Sequence, residues 1–83
     1  MEKEVKIEEG REKDNLTLMM QEVFEKVNKY NDENPDNEID IMVLARDKKG
    51  GASFIIGDTN NIVHELWELT TYHPAFIQFI RSI

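Results

Sequence analysis

Apolar side chains recur at steps of three and four residues through the first half of the chain. This spacing places them on one side of a helix that spans about residues 16–31. Asp14 or Asn15 can cap its first turn, because either side chain accepts a hydrogen bond from a free backbone amide. The predicted buried stripe consists of Leu16, Met20, Val23, Val27 and Tyr30, widened by Met19 and Phe24.

Two shorter apolar runs follow a polar segment around Pro35, where proline and its Asn and Asp neighbours favour a turn. The runs cover residues 39–46 and 52–57, and the charged segment between them ends in Gly50 and Gly51. Apolar runs on either side of a short glycine-containing turn are typical of a β-hairpin. The middle of the chain therefore predicts two antiparallel strands.

The last third of the chain returns to helical spacing. Asp58 or Thr59 can cap a second helix, and Pro74 suits the first turn of a third, because proline fits the start of a helix and breaks its interior. We therefore expect a bend near Tyr72 and His73. The predicted inner positions are Ile62, Val63, Leu66, Trp67 and Leu69 in the second helix, and Phe76, Ile77, Ile80 and Ile83 in the third.

Residues 1–14 form a charged leader in which Val5 and Ile7 are the apolar positions after Met1. So little apolar surface favours a flexible tail, although the spacing of two would also let residues 3–8 add to a sheet as a short edge strand. Residues 15–83 are expected to form one α+β domain. Its predicted element order is α-β-β-α-α, with the β-hairpin packed against the helices.

The predicted hairpin is apolar on both faces. In the first strand Ile39, Ile41 and Val43 point away from Met42 and Leu44, and in the second Phe54 and Ile56 point away from Ile55. An isolated two-stranded ribbon is marginally stable, and its edges invite another strand. We therefore expect a homodimer in which hairpins or their faces pair across a two-fold axis, and in which the sheet can extend across both copies. The alternative is a monomer whose first helix covers one face and whose other helices cover the second.

Composition narrows the function classes. The chain of 83 residues, with 40% hydrophobic and 33% charged residues, fits a single domain. It contains no apolar run of about 18 residues that would span a membrane, and its start lacks the apolar stretch of a signal peptide, so we expect a cytoplasmic protein. Cysteine is absent, which excludes disulfides and zinc–thiolate sites. The net charge of −7 argues against direct binding to nucleic acid.

Motifs for metal or catalytic chemistry are incomplete. Residues 32–36 match the first ligand positions of an EF-hand calcium loop, but Asn37 and Val43 stand where that loop needs Gly and Glu. His64 begins a segment like the zinc motif H-E-x-x-H, in which Glu68 replaces the second histidine, so a surface His–Glu pair is expected instead. We expect no metal, no cofactor and no enzyme activity.

The expected function is that of a small, acidic, non-enzymatic protein-interaction module, a composition shared with many accessory proteins of bacteria and phages. Its expected partner is another protein. Tyrosine and tryptophan are enriched where interfaces concentrate their binding energy, and aliphatic side chains on the second hairpin face add apolar area. The candidate partner-binding residues are Met42, Leu44, Ile55, Trp67 and Tyr72.

Two alternatives remain open. The first is an acidic inhibitor whose carboxylates mimic nucleic acid on a basic target protein, with Glu33, Asp36, Glu38 and Asp40 as the mimic. Such binding would weaken steeply with salt. The second is a binder of a small anionic ligand at a dimer cleft, through the basic cluster of Arg46, Lys48 and Lys49.

Overall fold

A computed structural model describes residues 2–7 and 14–82. The fold combines one antiparallel sheet, with strand order β1-β3-β2, and three helices, which confirms the α+β class. The elements are β1 (Glu2–Ile7), α1 (Asn15–Glu33), β2 (Ile41–Asp47), β3 (Gly50–Gly57), α2 (Thr59–Tyr72) and α3 (Pro74–Arg81). The predicted order α-β-β-α-α is therefore preceded by one further strand.

Strand β1 occupies residues that composition assigned to a flexible tail. It pairs antiparallel with β3, from Glu2 opposite Gly57 to Ile7 opposite Ala52. Residues 2–7 therefore form an edge strand, as in the alternative prediction for this segment. Residues 1 and 8–13 of the leader lie outside the described residues. The physical reason is that the edge of β3 presents a row of backbone N–H and C=O groups that stabilise an added strand by hydrogen bonding. This stabilisation does not depend on side chains, so the two apolar residues of the leader do not indicate it.

Helix α1 packs on one face of the sheet and forms the core with it. Ala52, Phe54 and Ile56 of β3 are buried there beside Met20, and the ring of Phe24 meets that of Phe54 edge to face at 5.6 Å. Burial of a side chain the size of Phe54 contributes about 2 kcal/mol to stability. Partly buried side chains complete this core, namely Leu16, Val27, Ile41, Val43 and Ala45.

The buried side of α1 is rotated from the predicted stripe. Val23 and Tyr30 are exposed, whereas Thr17 and Asn31 are buried. The rotation follows from a polar contact, because the side chain of Asn31 bonds both backbone groups of Ile39. The Ile39 amide donates to Asn31 Oδ1 at 2.7 Å, and Asn31 Nδ2 donates to the Ile39 carbonyl at 3.1 Å. Strand β2 accordingly begins at Ile41, two residues later than predicted.

The helix starts agree with the predicted caps. Asp14 caps α1, where its Oδ1 accepts from the Thr17 amide at 2.9 Å, and Asp58 caps α2 by accepting from the Asn60 amide at 2.8 Å. Pro74 opens α3 directly after the bend at His73. Among the described residues, none of these helices is both long enough and apolar enough to cross a membrane.

We predict that Asn31→Ala lowers the free energy of unfolding by about 2 kcal/mol, because it leaves the amide and carbonyl of Ile39 without their partner. Urea unfolding at one fixed protein concentration measures the effect. Asn28→Ala on the same helix is the matched control, since Asn28 Oδ1 is buried without a hydrogen-bond partner among the described residues. The control should change stability by less than about 0.5 kcal/mol or increase it. Equal losses in the two variants would contradict the role given to Asn31.

Candidate protein-interaction surface

The face of the sheet opposite α1 is here called the open face. Strand register places Met42 of β2 beside Ile55 of β3, and Leu44 beside Ser53, all pointing away from the core. Leu44 is 71% exposed although it lies in the middle of a strand, and Met42 and Ile55 are half-buried. The two-sided apolar character predicted for the hairpin is therefore present, and its second face is covered only in part.

Charged side chains surround this apolar centre. Register places Glu4 and Lys6 of β1 opposite Ile55 and Ser53, so both lie on the open face at its β1 side. Arg46 lies on the same face at the end of the hairpin. The open face thus has an aliphatic centre and a charged rim of both signs.

Helices α2 and α3 enclose a second apolar region, here called the helical groove. Trp67 at its wall is 73% exposed, and none of the side chains from Pro74 to Arg81 is buried. The groove has a volume of about 490 Å³. Its lining comprises Val63, Leu66, Trp67, Thr70, Phe76, Ile77, Ile80 and Arg81. The inner positions that periodicity predicted for α3 thus face α2, apart from Ile83, which lies outside the described residues.

A polar clamp between Asp40, directly before β2, and the start of α2 sets the direction in which α2 leaves the sheet. Asp40 Oδ1 accepts from the Asp58 amide at 2.8 Å, and Asp40 Oδ2 accepts from Asn61 Nδ2 at 2.7 Å. Gly57 permits this approach, because its φ of +108° lies in the region that favours glycine. A Cβ on Gly57 would also lie 2.9 Å from the Cα of Asp40.

Beyond the clamp, α2 approaches the open face only at its Met42 end. Ile62 in the first turns of α2 is buried, but Leu66 and Leu69 are separated from Met42 by a cleft of about 250 Å³. Leu44 lies outside this cleft and stays exposed. The predicted monomer alternative requires the last two helices to cover the second face. Helix α2 covers part of that face near Met42, and no helix of the described residues covers Leu44.

The overall dimensions agree with this incomplete covering. The described residues measure 40 × 36 × 16 Å, and their radius of gyration is 14.4 Å. A compact domain of this length is expected to have a radius of about 12 Å. The fold is flat because one helix, rather than three, packs against the sheet.

The structure separates the three predicted basic residues. Arg46 lines a shallow cavity of about 300 Å³ on the open face, together with Lys6 and Leu44. Lys48 and Lys49 occupy the tip of the hairpin and do not line that cavity. Lys6 takes their place beside Arg46, and only the pairing of β1 with β3 could reveal it.

The four predicted acidic residues differ in exposure and in hydrogen bonding. Glu33, Asp36 and Glu38 are exposed at the end of α1 and in the following loop. Asp40 is instead engaged in the clamp. The hydrogen bonds from the Asp58 amide and the Asn61 side chain hold the pKa of Asp40 below its ordinary value of 3.8, against a smaller opposing effect of burial. Its carboxylate therefore has an internal role that the sequence pattern did not indicate.

The remaining candidates are solvent-facing. His64 Nε2 lies 3.0 Å from Glu68 Oε1 on the outer side of α2, so the expected surface pair is present. Tyr72 is exposed at the end of α2 but does not line the helical groove. Among the described residues, no three histidine, aspartate or glutamate side chains come together as a metal site.

No family model, curated protein or solved structure shows detectable similarity to this chain.

We predict that Asp40→Asn destabilises the fold at pH 7 and that this loss shrinks in acid. A carboxyl whose pKa is lowered by folding stabilises the native state above its unfolded pKa, near 3.8, and loses that effect as the pH falls through its lower folded pKa. Unfolding free energies from urea titrations between neutral pH and about pH 3 measure the difference from wild type. Asp36→Asn, in the exposed loop, controls for the loss of one negative charge. A pH-independent difference for Asp40→Asn would contradict the clamp.

Proposed function

We propose that this chain is a small non-enzymatic protein-interaction module that binds another protein through the open face of its sheet. The observation that carries the proposal is the exposure of Leu44 at the centre of a strand, next to the half-buried pair of Met42 and Ile55 on the same face. An apolar centre of this kind costs free energy while it faces water, at about 25 cal/mol per Å². A partner that covers it recovers that free energy.

The charged rim of the open face supports a transient, non-obligate complex with the partner. Non-obligate interfaces combine an apolar centre with a polar, solvent-accessible rim, whereas obligate ones are more hydrophobic. Glu4, Lys6 and Arg46 supply such a rim with both signs of charge. The proposal takes the cytoplasm as the compartment, in line with the expectation from sequence.

A flat surface also favours a protein over a substrate as the occupant. Ligand and active sites are concave and remove most of a small molecule from water. The cavities on the open face, of about 300 and 200 Å³, are shallow depressions between neighbouring strands. The polar side chains around them stand apart on an open sheet, which supports binding rather than catalysis.

The second candidate function is the binding of a small anion. The observation in its favour is that Lys6 and Arg46 line the same cavity of about 300 Å³. A ligand selective for the folded state raises the melting temperature. Inorganic phosphate or a nucleotide that does so for the wild type, but not for Lys6→Ala, would favour this function over the first.

Mimicry of nucleic acid has weaker support. Three of its four residues are exposed, but the carboxylate of Asp40 is engaged with Asp58 and Asn61. Its distinguishing property is salt dependence, because interactions between exposed charges are screened by salt. An interface centred on Leu44 should be much less sensitive.

We predict that Leu44→Ser weakens partner binding by about tenfold or more, because it removes the central apolar contact. The partner is first isolated from cells that produce this protein, then purified and titrated against the purified chain. Leu18→Ser is the matched control, since Leu18 is an exposed leucine on α1, away from the open face. It should change the dissociation constant by less than about twofold.

The titration is repeated at about 0.5 M salt, where the screening length falls below about 5 Å. Binding through the open face should persist there. Equal affinity of the two serine variants would contradict the proposed surface, and loss of binding in salt would favour the acidic surface of Glu33, Asp36 and Glu38.

A further inference from the structure

Helix α3 has too little support within one chain. It spans eight residues, none of them buried, and it packs chiefly against α2. Isolated helices shorter than about 12 residues are marginal in water, and most helices in proteins are stabilised by packing of their apolar side. The apolar side of α3 is its groove side, with Phe76, Ile77 and Ile80. A folded α3 therefore requires a cover for the helical groove.

The composition of the groove indicates what kind of cover this is. Six of the eight described residues that line it are aliphatic or aromatic, and Arg81 alone among the eight is charged. This character is that of an obligate interface, in contrast to the charged rim of the open face. An obligate cover must be present whenever the chain folds, and a second copy of the same chain meets that condition.

We propose that a second copy of this chain covers the helical groove, so that α2 and α3 of both copies pack around a two-fold axis. Such an interface uses the same patch on both copies, which must therefore offer both a projection and a recess. The groove has both, because the exposed ring of Trp67 forms part of the wall of the recess between α2 and α3. Each Trp67 can then insert into the groove of the partner copy.

Charge distribution permits this approach of two acidic chains. With a net charge of −7 each, two copies repel one another unless their carboxylates are kept apart. Glu68 lies on the outer side of α2, paired with His64, and Glu65 faces the cleft beside Met42. The groove side of the helices thus brings no pair of glutamates face to face among the residues that line it.

The exposed aromatic rings supply part of the area that a dimer requires. Aromatic side chains bury roughly 150–250 Å² each, so Trp67 at 73% and Phe76 at 44% exposure together offer on the order of 250 Å². The aliphatic residues Val63, Leu66 and Ile80 extend this patch. A standard interface buries about 800 Å² on each partner, so the two rings alone account for about a third.

This interface differs from the one expected from sequence, which paired hairpins or sheet faces. Pairing of β1 with β3 occupies one edge of the hairpin, so the sheet has less need of a second copy. The element that needs a second copy is then α3, none of whose residues is buried. The open face then remains available for another protein, and the two proposals can succeed or fail separately.

The test compares two phenylalanines on one helix. Phe76 lines the groove, whereas Phe79 is 68% exposed and lies outside it. Sedimentation equilibrium of the full chain should give the mass of two chains for the wild type and for Phe79→Ser. Phe76→Ser should raise the dimer dissociation constant by about 30-fold or more, as expected for a central aromatic contact. Circular dichroism of each variant checks that the sheet and α1 are retained.

A second measurement keeps the test decisive if Phe76→Ser unfolds α3. Trp67 is the chain's one tryptophan, so its emission reports on the groove. Dilution of the wild type should shift that emission towards the red as the dimer dissociates. A monomeric wild type at high concentration, equal effects of the two serine variants, or emission that does not change with dilution would each overturn the proposal. None of these results would affect binding of another protein to the open face.

Discussion

The apolar character of both faces of β3, with one helix to cover them, is the constraint on which the rest of this structure depends. Helix α1 buries Ala52, Phe54 and Ile56 and thereby forms the core. The alternate side chains of the same hairpin then point away from that core, towards solvent and the first turns of α2. A stable domain needs at least two packed layers of secondary structure. In the described part of this chain the sheet and α1 form two layers, and the opposite face of the sheet lacks a complete covering layer.

The clamp of Asp40 explains why the remaining helices do not complete the second layer. It ties the start of α2 to the beginning of β2, and Gly57 fits a backbone conformation that other residues adopt at a cost of about 1 kcal/mol or more. Helix α2 therefore leaves the sheet at a set angle and diverges from Met42, so that a cleft remains. The same geometry directs the apolar sides of α2 and α3 towards each other across the helical groove.

Local features of the sequence predicted most of the fold. Alternation along the hairpin identified the two faces, and the caps at Asp14 and Asp58 follow from side-chain chemistry within one turn. The features that escaped prediction depend on contacts between distant residues. Strand β1 is stabilised by backbone pairing with β3, and the rotation of α1 follows from the bond of Asn31 to Ile39. Neither contact produces a periodic pattern of apolar residues in the sequence.

The candidate site divides in the same way. Residue type and spacing predict Leu44 and Trp67 as partner-binding residues, and the structure shows that both side chains are exposed. The internal role of Asp40 and the position of Lys6 beside Arg46 could not be read from the sequence, because each depends on a strand or helix start far along the chain. The helical groove required the angle between α2 and α3, which periodicity does not specify.

Amide hydrogen exchange as a function of protein concentration tests the central claim most directly. If one chain leaves α3 without sufficient cover, amides of α3 should exchange fast in dilute protein and become protected as concentration rises. Amides of β3, which are held by pairing on both sides and by α1, should exchange at the same slow rate throughout. Protection of α3 that is equally high at every concentration would contradict the account, since it would show that a single chain covers its own apolar surface.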